Sequence, residues 1–160
     1  MKRRQALKVS SLATIGLTAT INGGCSKNTV LFDHGVASGD PLSDRVILWT
    51  RVTPKKPGPV KVNLEISANR NFSQVLFSKA LKTDSLSDYT IKYDFSIESI
   101  LKSGQIFFYR FNSQGVTSEI GKTRTLAPES RKIKLGVFSC SNFPAGFFNA
   151  YQAAAEANDL

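Results

Sequence analysis

One histidine, two cysteines, one tryptophan and one methionine are all that this 160-residue chain holds of those residue types. A lone His34 rules out any site built on several imidazoles. It also leaves a serine nucleophile only one possible histidine base. The two cysteines, Cys25 and Cys140, cannot supply a disulfide framework. No Gly-Lys-Ser or Gly-Lys-Thr follows the glycine-bearing stretch at 35–39, so a phosphate-cradling loop is excluded there. The apolar stretch Val9–Ile21 covers 13 residues, rising about 20 Å as a helix. That falls short of about 30 Å of hydrocarbon, and Ser10, Ser11, Thr14, Thr18 and Thr20 dilute it further. With 41% hydrophobic and 21% charged residues, the composition is that of a globular chain and not of a disordered one.

Acidic residues are also missing from the start of the chain, where none precedes Asp33. Lys2, Arg3, Arg4 and Lys8 account for four of the 21 basic side chains; the other 17, set against 12 acids, leave +5 of the formal +9. That excess is spread along the chain as an ordinary solvated surface, with no basic stripe, finger or recognition helix, so nucleic-acid binding is not expected. A positive Met1–Lys8, the short apolar Val9–Ile21 and Asn22-Gly23-Gly24-Cys25 follow the three-part order of an export signal, placed at residues 1–25. Arg3-Arg4-Gln5-Ala6-Leu7-Lys8 resembles the twin-arginine pattern, with Ala6 where Phe is usual. Cys25 stands where a lipoprotein signal places its acylated cysteine. Gly23 and Gly24 fit the small positions, and Asn22 replaces the usual Leu. The expected partners of this segment are the twin-arginine export machinery and a membrane, gripped through a multi-chain lipid anchor on Cys25. The expected location is the periplasm or the cell surface.

From Val30 onward the pattern is one of short alternating strands. Arg45–Val52 places Val46, Leu48 and Thr50 on one face and Ile47, Trp49 and Arg51 on the other. Val60–Ile66 alternates apolar and polar without a lapse, as a sheet with one wet face requires. Further strands are predicted at 31–38, 74–81, 89–97, 105–112 and 118–126. About seven strands over residues 30–127 predict a mainly β domain, an immunoglobulin- or fibronectin type III-like sandwich without the antibody disulfide. Trp49 is its expected core anchor, facing the aromatic strand Ile106–Phe111, where Phe107, Tyr109 and Phe111 alternate with Ile106, Phe108 and Arg110. Apolar residues on both faces of that strand predict a central or covered position. His34–Pro41 reads as a turn: Gly39 tolerates positive φ, Asp40 bonds its own backbone and Pro41 fixes the next φ. Ser38 lacks the elbow context of a nucleophile.

The pattern changes after Ala127-Pro128-Glu129-Ser130. Lys132–Ser139 reads as a largely apolar strand, Cys140–Pro144 as a loop, and Ala145–Asn158 as a helix with Phe147, Phe148, Tyr151, Ala154 and Ala155 along one stripe. Strand, loop and helix open an α/β unit that cannot bury its sheet alone, so residues 132–160 are expected to be the start of a second, truncated domain.

Phe32-Asp33-His34-Gly35-Val36-Ala37-Ser38-Gly39-Asp40-Pro41 and Asp44–Arg51 resemble the start of the PhoD-like alkaline phosphatase/phosphodiesterase family. Val137-Phe138-Ser139-Cys140-Ser141-Asn142 with Gly146–Tyr151 resembles that family's entry into its metallophosphoesterase domain. The resemblance spans residues 30–160. It implies a β-sandwich ahead of an α/β domain that hydrolyses phosphate esters, diesters especially, with iron and calcium. It further implies that Cys140 is an iron ligand, which gives an unpaired exported thiol a role; Ser141 departs from the Gln common after it. The remaining ligands would lie downstream, so no catalytic residue is expected within these residues and they are expected to be inactive alone. The alternative from another class is a surface lipoprotein whose sandwich is a binding module.

Overall fold

The computed structural model describes residues 30–129, 134–139, 142, 144 and 146–157. Seven strands of four or more residues carry the fold: β2 (Val36–Gly39), β3 (Arg45–Arg51), β5 (Val60–Ser67), β6 (Phe77–Thr83), β7 (Thr90–Ser96), β8 (Ile106–Ser113) and β10 (Gly121–Arg124). Three two-residue strands, β1 (Val30–Leu31), β4 (Thr53–Pro54) and β9 (Val116–Thr117), were not foreseen. One sheet has the order β2-β3-β7; the other runs β10-β8-β5-β6, with β9 beside β8. β1 pairs with β4, and every pairing is antiparallel.

Period-two patterning explains which side of each strand is dry. Along β5, Val60, Val62, Leu64 and Ile66 are buried, while Lys61 is exposed and Asn63 and Glu65 lie at the margin. Along β3, Val46, Leu48 and Thr50 share one face, as predicted, and that face is the buried one. β8 sits between β10 and β5, the central position that its two-sided apolarity implied, and it buries Phe107, Tyr109 and Phe111. Both larger sheets contribute to one hydrophobic cluster. Phe95 of β7 joins them: its ring is 5.1 Å from Phe77 of β6 and 5.5 Å from Phe107 of β8, the latter edge-on.

Several expectations are corrected. Trp49 is not the core anchor, because it shares the outer face of β3 with Ile47 and Arg51 and is only partly buried. The alternation that buries Val46, Leu48 and Thr50 leaves it no route inward. The opening strand predicted at 31–38 is split at a turn, where the Gly35 amide donates to the Phe32 carbonyl (3.2 Å) and Gly35 takes φ +66°. In the next turn the left-handed residue is Asp40, φ +47°, and not Gly39. The last strand is only Gly121–Arg124. Residues 134–139, predicted as part of a strand, form none and are exposed, and among the described residues no strand pairs with them. The predicted helix 145–158 contracts to α1 (Asn149–Glu156), since Phe148 already occupies the left-handed cap with φ +51°.

Polar contacts secure the edges. Arg51 on β3 grips Asp88, before β7, with a two-pronged contact: Nη2 to Oδ1 at 2.9 Å and Nε to Oδ2 at 3.1 Å. Arg45 pairs with Asp44 at 3.1 Å and with Asp94 at 3.4 Å. The Arg51 hydrogen bonds hold the Asp88 carboxyl below the usual carboxylate range, and Arg45 does the same for Asp44. Both carboxylates face water, so each pair contributes little. On the dry side, Gly121 is paired directly with Tyr109, and the ring fills the space a Cβ at 121 would need.

Two outcomes follow for stability. Gly121→Ala forces the Tyr109 ring aside and should cost about 1–3 kcal/mol in urea unfolding, as overpacking does. Gly39→Ala, with open space at its Cβ and no positive φ, should stay within about 0.5 kcal/mol. Equal effects would contradict this account of Gly121. A depressed native carboxyl pKa adds stability above the unfolded value, near 3.9 for Asp, and that contribution is lost as pH falls through the folded value. The urea midpoint of Asp88→Asn should therefore lie below that of the parent at pH 7, and the gap should close by about pH 2. A gap independent of pH would assign Asp88 another role.

Candidate functional site

The segment Phe32–Pro41 carries β2, which pairs along one side of β3, the central strand of its sheet. Thr50 Oγ1 donates to the Gly35 carbonyl at 2.8 Å, which ties the turn to the buried face of β3. His34 is exposed, with its Nε2 2.7 Å from Arg51 Nη1, so the imidazole nitrogen facing Arg51 accepts from it. Ser38 turns elsewhere: its hydroxyl donates to Thr123 Oγ1 of β10 at 2.9 Å. No hydrogen bond joins Ser38 to His34, so the pair does not form a nucleophile and base. Burial pushes the Tyr109 phenol up to about 12, and the Ser38 hydroxyl opposes that rise. At neutral pH the phenol therefore stays protonated. Ser38 thus links β2 of one sheet to β8 and β10 of the other. Sequence reasoning missed this link; its only trace was Gly121, a glycine inside a predicted strand.

Two of the concave features among the described residues border β10 and the β2–β3 face. Between β10 and α1 is a cleft of about 420 Å³ lined by Ile106, Lys122, Thr123, Arg124, Ala154, Ala155 and Ala157. It offers cations and a hydroxyl but no carboxylate, thiol or imidazole. A shallower depression of about 230 Å³ lies over β2 and β3, bounded by Ala37–Asp40, Ile47, Trp49 and Lys92. Neither gathers the groups that general acid–base or nucleophilic chemistry requires.

Among the described residues, no three side chains of His, Cys, Asp or Glu come together as a metal cage. The iron and calcium implied by the family resemblance therefore find no fit there, and no hydrolytic step is derived through them. Cys140, the expected iron ligand, lies outside the described residues, as do Cys25, Arg3 and Arg4. Among the described residues, no helix is long and apolar enough to cross a membrane.

Comparison with known proteins agrees with this geometry. A family profile described as "PhoD-like phosphatase, N-terminal domain" matches residues 18–127. Alkaline phosphatase D of Bacillus subtilis (strain 168) is 29% identical over 149 residues, which cover 85% of this chain and 24% of that protein. A solved structure titled "Structure of PhoD" superposes with a TM-score of 0.67 at 28% identity, covering 79% of this chain and 26% of the other. The chain thus spans about a quarter of the length of the relatives it matches. A match to well over half of the chain, together with a shared mainly β fold, places this protein in the PhoD-like phosphatase family, whose N-terminal domain it carries.

Proposed function

We propose that the chain is the front part of an exported, metal-dependent phosphodiesterase or alkaline phosphatase, and that these 160 residues alone do not turn over substrate. The observation that carries this reading is the family match over residues 18–127, in a chain that covers only 24% of alkaline phosphatase D. Residues 1–25 serve as a twin-arginine lipoprotein signal, with Arg3 and Arg4 read by the export machinery and Cys25 acylated for anchoring. Residues 30–127 form an immunoglobulin- or fibronectin type III-like sandwich. The three-stranded β2-β3-β7 sheet, facing β10-β8-β5-β6 across one core, supports that assignment. Residues 132–160 begin the metallophosphoesterase domain, and Cys140 contributes a thiolate to an iron and calcium site completed by later residues. The substrate is a phosphate ester, and the enzyme works in the periplasm or at the cell surface.

The scaffold's part in such chemistry is positional. A domain tied internally by Ser38–Thr123 and Arg51–Asp88 offers a fixed base for a neighbouring catalytic domain. It supplies no proton-transfer group itself. A metal held by Cys140 together with later residues would supply Lewis-acid chemistry for phosphate-ester hydrolysis.

The test uses the 160-residue chain with bis(p-nitrophenyl) phosphate and added iron and calcium. No nitrophenolate release above the buffer rate is expected. Turnover that disappears on Cys140→Ala would overturn the assignment of the missing chemistry to later residues.

A further inference from the structure

The two ends of the strands carry different groups. At one end the described chain enters at Val30, which stands opposite Pro54 of β4. The loop 84–89 between β6 and β7 lies at that same end. There the Val52 amide donates to the Tyr89 carbonyl at 3.0 Å, and the Gly58 amide donates to the Tyr89 hydroxyl at 3.3 Å. After β10 the chain leaves at the other end, where Arg124 stands opposite Ile106 and the Leu126 amide donates to the Leu42 carbonyl. The eight residues of β5, at about 3.4 Å each, set the two ends roughly 27 Å apart.

The entry end presents an apolar side chain that the core does not use. Leu86, at the tip of the loop 84–89, is 96% exposed. Its loop is nonetheless held in shape. The Leu86 amide donates to Asp84 Oδ1 at 3.0 Å, Thr90 Oγ1 donates to the Ser87 carbonyl at 2.7 Å, and Asp88 is gripped by Arg51. In the neighbouring loop Lys55 and Lys56 are exposed and form no ion pair with any described carboxylate. Lys61 and Lys82, also exposed, stand directly opposite each other at the rim. Against these four lysines and Arg51 the entry end sets Asp33, Asp84 and Asp88, and Asp88 is already paired.

We infer that this end rests on a membrane surface, with Leu86 entering the boundary between headgroups and acyl chains and Lys55 and Lys56 facing anionic lipid; the inference rests on the reading above that Cys25 is acylated. Reach decides which end is down. Cys25 stands five residues before Val30, so the chain between them spans at most about 18 Å. Standing on the exit end would lift Val30 roughly 27 Å from the lipid, beyond that tether. One leucine and a few lysines grip a surface weakly, but a short tether supplies an effective concentration on the order of millimolar. Basic side chains close to a lipid anchor are drawn to anionic headgroups, and an apolar residue at the boundary adds to that hold.

Lysine footprinting on vesicles tests the pose. The 160-residue chain carrying Cys140→Ala is coupled through Cys25 to a maleimide phospholipid in vesicles of phosphatidylcholine and phosphatidylglycerol, then acetylated and read by mass spectrometry. Acetylation of Lys55 and Lys56 should fall about fivefold relative to the uncoupled chain, with Lys102 at the exit end unchanged. Leu86→Glu should restore most of that reactivity while leaving the urea midpoint unaltered. Equal reactivity of Lys55, Lys56 and Lys102 would overturn the proposal. So would protection of Lys79 or Lys92 in their place, which marks a pose on the side of one sheet, or undiminished protection in Leu86→Glu. The mass of Cys25 in chain recovered from a bacterial host with the twin-arginine route separates the two readings. An acylated Cys25 without Lys55 and Lys56 protection sinks the membrane pose alone, protection without acylation sinks the lipoprotein reading alone, and neither signal sinks both.

Discussion

Phe95 holds the two sheets to a common interior. It leaves β7 in the three-stranded sheet and meets Phe77 and Phe107, which belong to the other sheet. Around it the buried sides of β3, β5, β7 and β8 close into one cluster, so each sheet's dry face exists only because the other covers it. A buried phenylalanine of this kind is worth about 3–5 kcal/mol against alanine, a large share of a small domain's stability. The polar contacts at the rim have a different job. Ser38–Thr123 joins β2 to β10 across the two sheets, and the exposed Arg51–Asp88 pair contributes little energy.

Most of the strands were legible because their period was clean. Val60–Ile66 alternates strictly, and β5 follows it. The double-sided apolarity of Ile106–Phe111 implied a central or covered strand, and β8 is central. Trp49 misled because size suggests burial, whereas in a strand the parity of a position decides its face. One step along the chain separates buried Leu48 from partly exposed Trp49. The turn at Asp40 was located correctly but assigned to the wrong residue, since Asp reaches the left-handed region at modest cost. Residues 134–139 carry a strand's composition without a strand, because a strand needs a hydrogen-bonded neighbour that composition does not report. The Ser38–Thr123 link spans 85 positions, beyond the reach of any local pattern.

Family identity was legible on different grounds, from two separated motifs in order, and the match over residues 18–127 agrees with it. The candidate chemistry was less accessible. Its single expected ligand, Cys140, lies outside the described residues, and the described residues bring no carboxylate or imidazole cluster together.

The shared core is tested most directly by native-state hydrogen exchange of the 160-residue chain. If both sheets depend on one interior, the central amides of β3, β5 and β8 should exchange with a common opening free energy and a common sensitivity to urea. Opening of β3 at a distinctly lower free energy, with β5 and β8 still protected, would show that the three-stranded sheet folds independently and would contradict the account.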